Sequence, residues 1–184
     1  EIIISLIGLS IGLLILPLIL LGNLLGNRGK LFYTQKRVGK NGEVFKILKF
    51  RTMVKNAEKN GAVFSKKNDA RITAFGKFLR KSRLDEFPQF INILKGDMAV
   101  IGPRPERPVF VREIAEIMPF YETRHVIKPG LTGWAQVNYS YGATIDDSLI
   151  KLQYDLYYIK HRSIFIDINI IVKTLSTVVF YRGQ

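Results

Sequence analysis

The chain has 184 residues, enough for one domain with a buried core. It holds 28 Lys and Arg against 15 Asp and Glu, a formal net charge of +13 that favours an anionic partner such as an acidic membrane, a phosphorylated substrate or nucleic acid. With no cysteine and two histidines, it has no disulfide framework or thiolate site and does not suit a multi-histidine zinc site.

Residues 2–27 form an uncharged segment rich in Leu and Ile. Crossing a bilayer takes about 20 apolar residues, so the segment is long enough to do so. Pro17 near its middle removes a helical hydrogen bond, which leaves two paths open: a kinked helix that spans the membrane, favoured by composition alone, or a re-entrant helix–break–helix. Basic residues follow directly and place the downstream side in the cytoplasm: Arg28, Lys30, Lys36, Arg37 and Lys40.

A β-hairpin is predicted next. Two strands, at residues 31–38 and 43–51, flank Gly39-Lys40-Asn41-Gly42, and Asn-Gly between apolar-bearing strands is a strong hairpin signal. The basic residues of the second strand either face a phosphate site or protect an exposed sheet edge. They are Lys46, Lys49 and Arg51.

Apolar residues at helical spacing predict helices over residues 72–83, 109–118 and 145–161. Residues 164–180 are strongly apolar but carry polar residues near one face. They fit either a core helix, which we favour, or a helix in the membrane interface. Residues 55–69 and 129–134 are predicted loops, and Gly96-Asp97 is a predicted turn.

The most informative motif is Asp85-Glu86. Pro88 and the apolar residues around it predict a short amphipathic helix that begins at the acid pair, which would place both carboxylates in the positive end of the helix dipole. An acid pair at this position is usually a helix cap on a solvated face. Here a basic cluster precedes it and Gly102-Pro103-Arg104-Pro105 follows, a setting that suits a phosphorylated substrate. The cluster comprises Lys77, Arg80, Lys81 and Arg83.

Three blocks of sequence, together with the apolar segment, carry a family resemblance over nearly the whole chain. The first, residues 29–53, ends in Lys49-Phe50-Arg51-Thr52-Met53; the second runs from Arg80 through the acid pair to Pro103-Arg104-Pro105; the third covers residues 129–138 and Tyr154-Asp155. They resemble the bacterial sugar transferases, which are monotopic polyprenol-phosphate phosphoglycosyl transferases similar to the undecaprenyl-phosphate glucose and galactose phosphotransferases.

The resemblance implies an α+β fold, mostly helical with a β-hairpin, in a monotopic membrane protein. Residues 1–27 are then a re-entrant helix with both ends cytoplasmic, and residues 28–184 are a membrane-associated catalytic domain. The expected location is the bacterial inner membrane, with the active site on its cytoplasmic face. Because Glu1 rather than Met stands first, we expect a longer N-terminal region in the parent protein.

The implied reaction moves a hexose 1-phosphate from a UDP-sugar to undecaprenyl phosphate and releases UMP. By analogy, the sugar is expected to be glucose or galactose. This step begins the synthesis of capsule, exopolysaccharide or O-antigen, and it uses Mg²⁺. The expected partners are the UDP-sugar, undecaprenyl phosphate and membrane lipid; a homodimer is compatible with the resemblance, and no nucleic acid is expected.

The resemblance also assigns roles to individual residues. Asp85 corresponds to the nucleophile that forms a phosphosugar–enzyme intermediate, and it would bind Mg²⁺. Glu86 would position or deprotonate the incoming polyprenol phosphate. The expected substrate- and phosphate-binding residues are Arg80, Arg104, Pro103, Pro105, Lys49, Arg51 and Gln89.

Two other hypotheses remain open at this point. The high positive charge is compatible with a non-catalytic, membrane-anchored module that binds acidic lipid or nucleic acid, although an acid pair would weaken such binding. The chain could also use a transferase fold as a scaffold in polysaccharide assembly. The first hypothesis predicts salt-sensitive binding that does not depend on Asp85, and the second predicts a folded protein that produces no UMP.

Overall fold

The computed structural model describes residues 1–59, 61, 63, 69–139 and 144–179. Its described α-helices are α1 (Ile2–Gly22), α2 (Ala74–Lys81), α3 (Gln89–Lys95), α4 (Pro108–Ile117), α5 (Trp134–Asn138), α6 (Ile145–His161) and α7 (Ile164–Val179). Its described strands are β1 (Phe32–Val38), β2 (Val44–Phe50), β3 (Ala99–Ile101) and β4 (Gly130–Thr132). The described part is therefore mostly helical with small sheets, which confirms the predicted α+β class with a β-hairpin.

Strands β1 and β2 form the predicted antiparallel hairpin, with Phe32 opposite Phe50 and Val38 opposite Val44. Their connection contains Asn41 and Gly42, whose φ angles of 55° and 81° lie in the left-handed region. Asn and Gly tolerate that region best, so the Asn-Gly signal is confirmed with its physical basis.

Strands β3 and β4 form a short parallel pair in which Ala99 lies opposite Gly130 and Ile101 opposite Thr132. The prediction that residues 129–134 form a loop is wrong, because β4 lies within them. Each strand has three residues, too few for an alternating pattern, and each is defined by a partner far away in the chain.

The predicted helices at residues 72–83, 109–118 and 145–161 are confirmed as α2, α4 and α6, with ends that differ by at most two residues. Helix α7 has features of both predicted alternatives, the core helix and the interfacial helix. Ile170 is fully buried, whereas Phe165 and Val172 are exposed. Phe180 and part of the predicted loop at residues 55–69 lie outside the described residues.

Helix α1 continues through Pro17 without interruption and is followed by a π-helical turn, Asn23–Asn27. Within the described chain, this is the one helical segment that is long and apolar enough to cross a membrane. One face packs on the rest of the protein: Gly22 lies against the ring of Phe75, and Ile19 is buried. Leucines on the remaining surface are exposed, among them Leu13, Leu14 and Leu18. The re-entrant path stays a prediction.

The core positions the segment that carries the acid pair. One buried cluster joins β1, α4 and α6 through Val38, Phe110 and Leu152, and a second joins β2, α3 and β3 through Ile47, Ile93 and Val100. The acid pair lies in the short connection between α2 and α3 and contacts β2. It therefore lies where the hairpin, the helices that contact α1 and the core meet.

Candidate active site

Asp85 and Glu86 lie in a single 3₁₀ turn, Leu84–Glu86, rather than in the first turn of α3. Arg83 enters this turn with φ of 59°, which reverses the chain after α2. Pro88 caps α3, which begins at Gln89. The prediction that the acid pair lies in the first turn of this helix, at the positive end of its dipole, is therefore wrong. Asp85 and Glu86 are each 7% exposed, so burial and the charges around them together set the pKa of each carboxyl group.

Glu86 is surrounded by cations from three parts of the chain. Its Oε1 accepts hydrogen bonds from Lys49 Nζ on β2 and from Arg104 Nη2, both at 2.8 Å. Its Oε2 lies 3.8 Å from Arg83 Nη1. Burial alone would raise the pKa of Glu86, but Arg104 and Lys49 outweigh burial and hold it well below its usual range. Glu86 is therefore a permanently charged carboxylate and a weak base.

Asp85 has the opposite environment. Burial and the neighbouring charge of Glu86 raise its pKa to about 6, and the attraction of Lys49 and Arg80 offsets only part of that rise. No hydrogen bond or ion pair joins its carboxylate to another residue in the described part of the chain. Two adjacent acids thus differ sharply: one is neutralised by the protein, and the other keeps its oxygens available.

The acid pair and its burial change the pKa values of two neighbouring cations, Lys49 and Arg104. Burial lowers the pKa of Lys49, while Glu86 counteracts that effect. Glu86 raises the pKa of Arg104. Arg80 donates from Nε to Thr52 Oγ1 at 2.9 Å, and its charge helps to lower the pKa of Asp85. The predicted residues Lys49, Arg80 and Arg104 are thus brought to the acid pair.

Two other predicted site residues are placed differently. Arg51 donates to the carbonyls of Asn27, Lys30 and Met53, so it joins the π-helical turn after α1 to the end of the hairpin. Gln89 is 1% exposed, and its Nε2 has no hydrogen-bond partner among the described residues. Its role in substrate binding stays a prediction, as does that of Arg51.

Several residues near the site were not assigned a role from the sequence. Arg83 belongs to the basic cluster found in the sequence. Its contact with Glu86 depends on the left-handed backbone of Arg83, which reverses the chain after α2. Arg37 and Arg124 donate to main-chain carbonyls of the segment around Arg104. Asp155 lies 2.7 Å from Arg124. Arg37, Arg124 and Asp155 could not be recognised from local patterns, because each has a partner in a distant part of the chain. The partner of Arg83 is only three residues away.

Comparison with known proteins places this arrangement in a family. The sequence matches the profile described as "Bacterial sugar transferase" over residues 1–181. The chain belongs to the bacterial sugar transferase family. The predicted family is therefore confirmed.

Curated relatives of this bacterial sugar transferase differ in the sugars that their names contain. It is 49% identical over 150 residues to UDP-N-acetylgalactosamine-undecaprenyl-phosphate N-acetylgalactosaminephosphotransferase of Aeromonas hydrophila, with 82% of this chain and 36% of that protein covered. It is 42% identical over 160 residues to UDP-glucose:undecaprenyl-phosphate glucose-1-phosphate transferase of Xanthomonas campestris pv. campestris, with 85% and 33% covered. Galactosyl transferase CpsE of Streptococcus agalactiae serotype III (strain NEM316) is 38% identical over 190 residues, with 96% and 41% covered.

The bacterial sugar transferase chain thus spans between 33% and 41% of the length of these three relatives. Its described residues contain no group of three or more His, Asp or Glu side chains that could hold a metal ion. Mg²⁺ is commonly held by one or two carboxylates together with substrate phosphates, and the unpaired carboxylate of Asp85 suits that mode. The residues present therefore fit the predicted magnesium.

Proposed function

We propose that this chain carries the catalytic site of a phosphoglycosyl transferase that moves a sugar 1-phosphate from a UDP-sugar to undecaprenyl phosphate. The observation that carries the proposal is the unequal environment of the acid pair. Glu86 contacts three cations, whereas Asp85 has free oxygens and a raised pKa. A carboxylate that is buried, unpaired and close to fixed positive charge suits nucleophilic attack on a phosphate.

In the first step, an Asp85 oxygen attacks the phosphorus that bears the sugar. The new Asp85 O–P bond forms as the P–O bond to UMP breaks, and UMP leaves with the electron pair. Two anions must approach each other in this step, so neutralisation of charge is the main contribution that the protein can make. Arg104 and Lys49 both contact Glu86 beside Asp85, which supports them as its source, and a forked guanidinium matches phosphate oxygens well.

In the second step, a phosphate oxygen of undecaprenyl phosphate attacks the same phosphorus. The P–O bond to Asp85 breaks and returns the carboxylate to the enzyme, and the lipid diphosphate-linked sugar is released. The lowered pKa of Glu86 makes it a poor proton acceptor, which supports a role in positioning cations and the lipid phosphate over a role as general base.

Magnesium, when bound by Asp85 and the substrate diphosphate, would supply further neutralisation of phosphate charge. Around it, this chain's own residues hold the geometry. Glu86 fixes Arg104 and Lys49 at 2.8 Å, and Thr52 fixes Arg80 at 2.9 Å. The cations are therefore oriented before any substrate arrives, which reduces the reorganisation required during transfer.

The membrane anchor is proposed to be re-entrant, with the site on the cytoplasmic face of the bacterial inner membrane. The support is that α1 and the π-helical turn that follows it pack on α3 and α2, from Gly8 against Phe90 to Gly26 against Phe75. A helix that crossed the bilayer would project away from a cytoplasmic domain instead of following it. The exposed leucines on the outer face of α1 suit lipid.

The chain has no cysteine, so single-cysteine labelling can test this topology directly. Glu1→Cys and Lys30→Cys lie on opposite sides of the apolar segment, and both positions are exposed. In right-side-out and inverted vesicles, a membrane-impermeant maleimide should label both positions from the cytoplasmic side alone. Labelling of the two positions from opposite sides would establish a spanning helix.

The donor sugar is proposed to be a hexose or N-acetylhexosamine. The relatives are named for N-acetylgalactosamine, glucose and galactose transfer, so glucose and galactose stay our expectations by analogy and N-acetylgalactosamine joins them. The deciding assay measures UMP release from UDP-glucose, UDP-galactose and UDP-N-acetylgalactosamine with undecaprenyl phosphate and Mg²⁺. Capsule or exopolysaccharide assembly is the process that such a lipid-linked product would serve.

The assay compares the wild type with Asp85→Asn and with the matched control Asp146→Asn, an exposed acid on α6. We expect release by the wild type and the control but not by Asp85→Asn. Normal release by Asp85→Asn would exclude Asp85 as the nucleophile. With UDP-sugar and no acceptor lipid, mass spectrometry should find the sugar phosphate on the peptide that contains Asp85.

A further inference from the structure

The segment that carries Arg104 cannot support itself with regular hydrogen bonds. Pro103 and Pro105 lack an N–H group, and residues 103–107 form neither helix nor strand. Even so, four consecutive carbonyls of this segment are satisfied from outside it. The donors are the Gly130 N–H to Pro103 (2.9 Å), Arg124 Nη2 to Arg104 (2.9 Å), Arg37 Nη1 to Pro105 (3.0 Å) and the Val38 N–H to Glu106 (2.9 Å).

Arg124 is the donor that reaches the main chain of Arg104 itself. It is 5% exposed, and it lies in the 3₁₀ segment Tyr121–Val126 that follows α4. Its Nη1 donates to the Tyr121 hydroxyl at 2.7 Å, and its Nη2 lies 2.7 Å from Asp155 Oδ2 on α6. The same Nη2 donates to the Arg104 carbonyl. One guanidinium therefore joins α6 to the loop that presents the phosphate-binding side chain.

A buried ion pair is an inefficient way to stabilise a core. Its desolvation often cancels its Coulomb attraction, and apolar residues of the same size frequently do as well or better. Asp155 is 2% exposed, and its neighbours on α6 include the apolar core residue Leu152. The charge of Asp155 has a more direct explanation. It neutralises the buried guanidinium of Arg124, which donates to the Arg104 carbonyl.

We propose that Arg124 and Asp155 are positioning residues that act through the main chain of Arg104 to hold its guanidinium at Glu86, an inference that rests on the function proposed above for this site. Asp155 fixes Arg124, Arg124 fixes the carbonyl of Arg104, and Arg104 Nη2 then meets Glu86 Oε1 at 2.8 Å. Neither Arg124 nor Asp155 needs to touch the substrate.

Kinetics with the full chain in detergent or nanodiscs test this role. Asp155→Asn removes the charge but keeps the size of the side chain, and Arg124→Lys keeps a charge but loses the fork that reaches two acceptors. Both should raise KM for the UDP-sugar and lower kcat/KM roughly 10- to 100-fold, since small displacements of a positioned group have effects of that size. Leu152→Ala, in the same helix, should lower the melting temperature without a comparable change in KM.

A double variant separates positioning from general destabilisation. In an Arg104→Ala background there is no guanidinium left to position, so adding Asp155→Asn should change kcat/KM less than twofold. Full additivity of the two effects would overturn the proposal. Because residues that act through one another are non-additive, this result does not depend on how much either variant lowers the melting temperature.

Residue-resolved hydrogen exchange gives a readout that needs no activity. The amides of Val38 and Gly130 donate to carbonyls of the loop, whereas the nearby amide of Ala99 donates to Pro129 outside it. Asp155→Asn and Arg124→Lys should accelerate exchange at Val38 and Gly130 but not at Ala99. Unchanged exchange at both loop reporters would overturn the proposal. A wild type that makes no UMP would contradict the proposed function, while exchange would still decide whether the loop is held by Arg124.

Discussion

Glu86 and Arg104 are 18 residues apart in the chain, and Arg104 Nη2 donates to Glu86 Oε1 at 2.8 Å. Each residue stabilises the charge of the other: Arg104 holds the pKa of Glu86 low, and Glu86 raises the pKa of Arg104. The Arg104 side chain nevertheless stays about one-third exposed. A guanidinium fixed by an internal carboxylate on one side and open on another is arranged to receive an external anion.

Arg104→Ala is expected to reduce kcat/KM for the UDP-sugar by at least roughly 100-fold, because a hydrogen-bonded charge is lost at the phosphate site. Arg104→Lys restores the charge without the planar fork, so its kcat/KM should fall between the wild type and Arg104→Ala. Steady-state UMP release at varied UDP-sugar concentration measures both. Equal kinetics for all three proteins would show that Arg104 does not bind the donor.

Lys49→Met should destabilise the protein by about 1–3 kcal/mol, since it leaves the buried carboxylate of Glu86 with one close cation fewer. Removing the carboxylate as well should recover part of that loss. Denaturant unfolding would compare Lys49→Met with Lys49→Met/Glu86→Gln, and the double variant is expected to be the more stable. A double variant that is less stable than Lys49→Met would mean that Glu86 is not the group that Lys49 neutralises.

Two glycines of α1 offer a matched pair of substitutions. A Cβ at Gly22 would overlap the ring of Phe75, whereas a Cβ at Gly12 would lie 3.5 Å from Phe87, an ordinary contact. Gly22→Ala should therefore destabilise the protein by about 1–3 kcal/mol through overpacking. Gly12→Ala should be neutral or stabilising, because Ala is the better helix former. Thermal unfolding in detergent decides between them, and equal effects would place α1 in a different packing.

Arg51→Lys tests whether Arg51 belongs to the phosphate site or to the anchor. Arg51 donates to three main-chain carbonyls, including that of Asn27 at the end of the π-helical turn after α1. Lys cannot reach three acceptors in that geometry, so the melting temperature should fall while KM for the UDP-sugar changes less than about twofold. A large rise in KM at unchanged stability would restore the phosphate-binding role predicted from the sequence.

The contribution of Asp155 to the stability of the protein should rise as the pH falls from about 7 toward 4. Burial raises its pKa from 3.8 to about 6, although Arg124 and Lys151 act against that rise and Glu106 adds to it. The folded state therefore binds this proton more tightly than the unfolded state. The contribution is fully present below the unfolded pKa and is lost as the pH rises through about 6, with a slope of at most about 1.4 kcal/mol per pH unit.

To test the predicted pH dependence, unfolding free energies of the wild type and Asp155→Asn are compared at several pH values between 4 and 7.5. The variant should show the shallower dependence. Asp85 has a pKa shifted in the same direction and is present in both proteins, so the difference between the two curves isolates Asp155. Parallel curves would mean that Asp155 titrates in the folded protein as it does in the unfolded chain.

The sequence was sufficient where a structural feature depends on neighbouring residues. Asn41-Gly42 predicts its hairpin because the turn requires left-handed backbone at those positions. Helix α6 follows from its apolar spacing and begins with a Thr144–Asp147 capping box. The acid pair and Arg104 were recognised as parts of one motif. In the structure, Arg104 and Lys49 both donate to Glu86.

Other features depend on residues that are distant in sequence, and local patterns could not predict them. Lys49 and Arg51 are two residues apart and would face the same side of one continuous strand. Strand β2 ends at Phe50, so Arg51 turns instead to the carbonyls beside α1. Asp155 lies on a helix whose pattern predicts only its apolar face, and its partner Arg124 comes from a 3₁₀ segment without periodicity.

The packing of α1 also fixes a distance. Ile19 of α1 and Leu79 of α2 belong to one buried cluster, and Arg80 and the acid-pair turn follow Leu79 directly in the chain. In the proposed anchor, with α1 embedded in lipid, this rigid contact rather than a flexible tether would set the height of Asp85 above the acyl chains. The distance between Asp85 and the phosphate of a membrane lipid would then be fixed by the fold. Bilayers of different thickness should therefore alter turnover even when both substrates are saturating.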